Sequence, residues 1–89
     1  MLEYKTKKGT DSEHPHTLVY YDAIIVGYYM SNKSKFAAVG ENWNFDSYDK
    51  RFPHFHAKTK AELIETLEKI SKNEKVELKQ GFGITTVLN

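Results

Sequence analysis

The chain of 89 residues contains no cysteine. Disulfides, thiolate metal centres, zinc knuckles and cysteine nucleophiles are therefore excluded together. Small exported domains often rely on disulfides, so their lack points to a reducing, cytoplasmic setting. No basic-then-apolar-then-small-residue pattern opens the sequence, and no signal peptide is expected. The longest apolar run lies near residues 23–26, too short to span a bilayer, so no membrane partner is expected. A surplus of one charge sign is also missing. Thirteen Lys and Arg against twelve Asp and Glu leave a formal net charge of +1. Duplex-DNA binders usually show a clear basic surplus, and DNA mimics an acidic one. No repeat, low-complexity tract or linker divides the chain.

What is present is an ordinary globular composition, 39% apolar and 28% charged. Its size implies a single domain over residues 1–89, with one modest core and no room for a deep enclosed active site. Aromatic residues reach 13%, and many fall between Tyr20 and Phe55.

Residues 2–7 alternate weakly and read as an edge strand, where charges discourage pairing with another chain. Residues 8–15 read as a loop. Residues 17–30 carry the strongest strand signal, rich in β-branched and aromatic types, and read as one long strand. Asp22 and Gly27 interrupt it, each a candidate bulge or close backbone approach. Residues 31–34 read as a hairpin loop, and residues 35–39 as the partner strand, with a possible extension to Trp43. Residues 42–53 mix turn formers with aromatics and read as a loop or irregular hairpin. Residues 52–58 read as a short extended segment.

The helix signal is the clearest. Thr59 and Glu62 stand in capping-box spacing, and Leu63, Ile64, Leu67 and Ile70 follow at helical intervals. Glu65 and Lys69 form a favourable i,i+4 pair. Asn73 suits a left-handed stop. Residues 74–79 alternate, residues 80–83 turn, and residues 84–88 form a last strand. The expected fold is α+β: a small antiparallel sheet with one amphipathic helix on one face, in the order β-β-β-(β)-α-β-β.

All four histidines occur in two His-x-His pairs, His14/His16 and His54/His56. Each pair puts its imidazoles on one face of an extended segment, so the two pairs together would make a four-nitrogen metal site. That is the third-ranked function. Solvated loop histidines explain the same spacing, and no cofactor is expected.

Lys79-Gln80-Gly81-Phe82-Gly83-Ile84 resembles the basic-Gly-Phe-Gly-Phe strand motif of the RNA-recognition motif family. The resemblance covers this segment alone. Gln80 fills the basic position, Ile84 replaces the second aromatic, and no second helix follows.

Trp43, Phe45, Tyr48, Phe52 and Phe55 are interleaved with Asn44, Asp46, Asp49, Lys50 and Arg51. Trp, Tyr and Arg are enriched at interface hot spots. The leading expectation is therefore a small non-enzymatic protein that binds another protein through Trp43, Asn44, Tyr48, Lys50, Arg51 and His54. Inhibition or regulation of a larger enzyme or complex fits this profile, which is frequent among phage and mobile-element products. The runner-up is a single-stranded nucleic-acid binder using Lys5, Lys7, Lys8, Lys50 and Arg51 with exposed aromatics. It requires the two groups of cations to converge on one face. The tyrosine-rich strand also offers a seam for a homodimer.

Overall fold

The computed structural model describes residues 1–7, 16–31, 43–80 and 85–88. These form seven strands and one helix: β1 (Leu2–Lys7), β2 (His16–Tyr21), β3 (Ile24–Ser31), β4 (Trp43–Ser47), β5 (Phe55–Ala57), α1 (Lys60–Ser71), β6 (Val76–Lys79) and β7 (Thr85–Leu88). The strands lie in sequence order in one sheet, and every neighbouring pair is antiparallel. The fold is thus the expected α+β arrangement with one helix.

It has one more strand before the helix than a single strand over residues 17–30 allows. Asp22 and Ala23 break that stretch into β2 and β3, with φ of 50° and 69°. Two consecutive positive φ values match the right-handed twist of a tight hairpin. Asn-Gly is the usual pair for such a turn, and Asp-Ala does not announce it.

Gly27 fulfils the expectation attached to it. Register passes from Val19↔Gly27 to Tyr20↔Ile25, so Val26 is an extra residue in β3. This bulge turns Val26 into the core and Ile25 to the opposite face.

Within the stretch expected to be a loop or irregular hairpin, residues 43–53 are more regular than expected. Trp43–Ser47 is strand β4, in register with β3 and β5. Its alternation points Phe45 inward and Asp46 outward. The turn formers act only afterwards. Ser47 Oγ donates to the Asp49 carbonyl at 2.7 Å, and Asp49 Oδ1 accepts from the Arg51 amide at 2.9 Å. This turn drives Phe52 fully into the core. The expected partner strand at 35–39 and the motif at 81–84 lie outside the described residues.

The helix forms as its spacing predicts. Thr59 Oγ1 accepts from the Glu62 amide at 3.1 Å. Among the described residues, Glu62 makes no return bond to the Thr59 amide, so only half of the box forms. Leu63, Leu67 and Ile70 bury the inner stripe. Asn73 takes φ 58°, its amide bonds the Ile70 carbonyl at 3.0 Å, and the Glu74 amide bonds Lys69 at 2.9 Å. These two bonds complete a Schellman stop. The stop reverses the chain, so β6 returns antiparallel to β5.

The core lies between helix and sheet. Val19, Val26, Tyr29, Phe45, Phe52, Phe55, Ala57, Val76 and Leu78 meet the helix residues there. Tyr4 extends the seal to the edge strand. Its hydroxyl reaches Glu68 Oε1 at 3.3 Å, and its ring lies edge-on to Tyr29 at 6.2 Å.

Candidate functional site

Strand alternation gives this sheet two very different faces. Thr17, Val19, Tyr29, Phe45, Phe55 and Leu78 look toward the helix and are buried. Their neighbours look the other way, where no described element covers them. Across that open face run Lys5, His16, Leu18, Tyr20, Ile25, Tyr28, Met30, Asn44, Asp46, His56 and Lys79, all half-buried or exposed.

The middle of this face is aromatic and apolar. His16 meets Tyr28 edge-on at 5.7 Å, and Tyr28 meets Tyr48 at 5.6 Å. Tyr48 keeps 61% of its surface exposed. Leu18 lies opposite Tyr28, and the bulge sets Ile25 opposite Tyr20. The Lys5 ammonium sits 5.0 Å from the centre of the Tyr20 ring. The Tyr28 hydroxyl is pushed above its ordinary value, first by partial burial and then by the Asp46 carboxylate, to which it donates.

The polar groups of the face are tied to one another. His56 Nδ1 bonds Asn44 Oδ1 across the β4–β5 pair, which leaves Nε2 of His56 pointing away from that bond. On the other side of β6 and β7, where Thr86 stands opposite Leu78, Gln80 Nε2 donates to the His54 carbonyl at 3.0 Å, and Thr86 Oγ1 donates to Gln80 Oε1 at 2.7 Å. The face carries both signs: Lys5 and Lys79 stand among Glu3, Asp46 and Glu77.

The aromatic loop of the sequence does not form one patch. Asn44 and Tyr48 stand on the open face, and Lys50 and His54 are exposed near its end. Trp43 faces the helix side, half-buried and edge-on to Tyr29 at 6.1 Å. Arg51 is also on the helix side. Its guanidinium lies 4.5 Å from the Tyr21 ring and donates to the Ser71 carbonyl at 3.2 Å. Arg51 thereby braces the last turn of α1, where a cation complements the helix dipole.

The cations of the nucleic-acid reading therefore do not converge among the described residues. Lys5 covers Tyr20 on the open face, while Arg51 stacks on Tyr21 behind it. Lys7 is placed only by its backbone register with His16. Lys8 lies outside the described residues.

The paired histidines separate as well. His16 is on β2 and His56 on β5, with β3 and β4 between them. Three inter-strand gaps span about 14 Å, beyond the reach of one metal ion. His14 lies outside the described residues. Among the described residues, no three His, Cys, Asp or Glu side chains come together as a metal site.

Leu18, Tyr20, Ile25, Tyr28 and Met30 were not singled out from the sequence as site residues. Their alternation signals a face, yet the hidden turn at Asp22–Ala23 and the bulge at Val26 scramble its phase. No protein-family model matches the chain, and neither a curated protein nor a solved structure matches it.

Proposed function

We propose that this chain is a small non-catalytic binding protein that holds another protein on the open face of its sheet, as an inhibitor or regulator of a larger enzyme or complex. One observation carries the reading. The face opposite the helix presents a contiguous group of Leu18, Tyr20, Ile25, Tyr28, Met30 and Tyr48 with charges of both signs around it. Exposed apolar groups framed by polar residues mark interaction surfaces. Tyrosine suits such a surface, because it supplies a large contact area with few rotatable bonds.

The charge pattern favours protein over nucleic acid. Phosphate binding needs converging cations. On this face Asp46 adjoins Tyr28, and Glu3 and Glu77 flank the lysines. A nucleic-acid strand laid there would meet the carboxylates of Glu3, Asp46 and Glu77 beside the ammonium groups of Lys5 and Lys79.

The test is a photo-crosslinking scan in a lysate of the source cell. A photoreactive residue replacing Tyr48 is expected to capture one defined protein. The same residue replacing Lys60 on the helix is expected to capture none. Loss of the capture on adding Tyr28→Ala supports the face as the contact. Equal capture from both positions, or crosslinks to nucleic acid in place of protein, overturns the reading.

A further inference from the structure

The two edges of the sheet are built differently. β7 is four residues long and uncharged. β1 is six residues long and carries exposed Glu3 and Lys5, two positions apart on the open face. Charged edges keep other chains away when like charges meet. On β1 opposite signs stand side by side, Glu3 next to Lys5, with Lys7 at the end of the strand. Two copies of β1 laid antiparallel about a two-fold axis through Tyr4 set Glu3 of each opposite Lys5 of the other. The same register sets Leu2 opposite Thr6 on the helix side.

A second observation concerns the core at this edge. Leu2 and Tyr4 pack against the core but remain half-buried, with their outer flanks uncovered by any described residue. Tyr4 is already held by Glu68 and Tyr29, so the edge is pre-ordered for pairing.

We infer that β1 is a homodimer seam, in which two copies of this chain pair β1 to β1 antiparallel. The product is one continuous sheet with both helices on the same side. Such an isologous contact closes on itself at two copies. The uncharged β7 has no comparable pattern to fix a register. The centre of the open face, around Tyr28 and Tyr48, stays free in this dimer, and the seam borders the proposed partner site only at Glu3 and Lys5.

Sedimentation equilibrium of the full chain, from about 1 µM to about 1 mM, tests it, since short interfaces of this size bind weakly. The wild type is expected to dimerise reversibly. Glu3→Lys and Lys5→Glu should each weaken dimerisation by about tenfold or more, because two attractive cross-strand pairs become repulsive. The double reversal Glu3→Lys/Lys5→Glu should restore it. Circular dichroism checks that each variant is folded. If a reversal unfolds the chain, Glu3→Gln and Lys5→Gln serve the same comparison, with roughly threefold effects. A wild type that stays monomeric throughout overturns the inference. So does a dimer insensitive to the single changes, or a double reversal no tighter than the singles.

Discussion

The ring of Phe45 fills the space that a side chain at Gly27 would need. A Cβ built on Gly27 would come within 2.5 Å of Phe45 Cζ and 2.3 Å of the Asp46 carbonyl oxygen. Both neighbours belong to β4, and one is backbone, so rotamer changes alone cannot relieve the contact. Gly27→Ala is expected to destabilise the fold by about 3 kcal/mol. Urea unfolding checks this. A cost below about 0.5 kcal/mol would mean that β3 and β4 are not packed as described.

The turn at Asp22–Ala23 contains a removable strain. Ala23 holds φ at 69°, a region that L-residues with a Cβ enter at a cost. Ala23→Gly is expected to stabilise by roughly 0.5–1 kcal/mol, even though glycine adds freedom to the unfolded chain. Ala23→Val should destabilise. A thermal melt of the two variants finds Gly stabilising and Val destabilising if the hairpin is correct, and the reverse order if residues 17–30 form a single strand, where β-branched residues are favoured and glycine is not.

Arg51 and Tyr48 lie three residues apart and are expected to behave oppositely. Arg51→Ala removes the Tyr21 stack and the bond to the Ser71 carbonyl. Roughly 1 kcal/mol of stability should go with it. Tyr48→Ala removes a ring that mainly faces solvent, so stability should change by less than about 0.5 kcal/mol. Partner capture should follow the reverse order, strongly impaired by Tyr48→Ala and little changed by Arg51→Ala. Denaturant melts and the crosslinking assay together separate the two roles.

Tyr4 gives the fold a specific alkaline limit. Burial, and then the Glu68 carboxylate, raise its hydroxyl well above the ordinary tyrosine value of 10.0. The folded state therefore holds this proton more tightly than the unfolded state does. The stabilisation is complete below pH 10 and declines as pH rises above it. Tyr4→Phe cannot lose that proton. Between about pH 10 and pH 12, the wild type should lose stability more steeply than Tyr4→Phe. Parallel slopes would show that Tyr4 is not held against Glu68.

Much of the fold was legible because local signals agreed with the tertiary outcome. Thr59, the inner stripe of α1 and Asn73 all act as their residue types suggest. Thr59→Ala should accordingly cost about 1 kcal/mol. The β2–β3 hairpin was hidden because Asp22-Ala23 lacks the glycine that usually advertises a tight turn. β4 was hidden because Asn44 and Asp46, both turn formers, occupy its solvent-facing positions. The proposed binding face was obscured for the same reasons. Its residues come from strands whose phase shifts at that turn and at the bulge. Arg51 is exposed, as its turn-forming neighbours suggest, but a contact with Tyr21, thirty positions away, holds its side chain on the helix side.

The most direct test of the central claim is the affinity of the protein captured at position 48 for a matched set of variants, measured by calorimetry. Ile25→Ser and Tyr28→Ala on the open face should each weaken binding at least about tenfold, as truncation of buried interface anchors does. Lys60→Ala and Glu65→Ala on the exposed side of α1 should leave it unchanged. The reverse pattern, with the helix variants weakened and the open-face variants intact, would contradict the account.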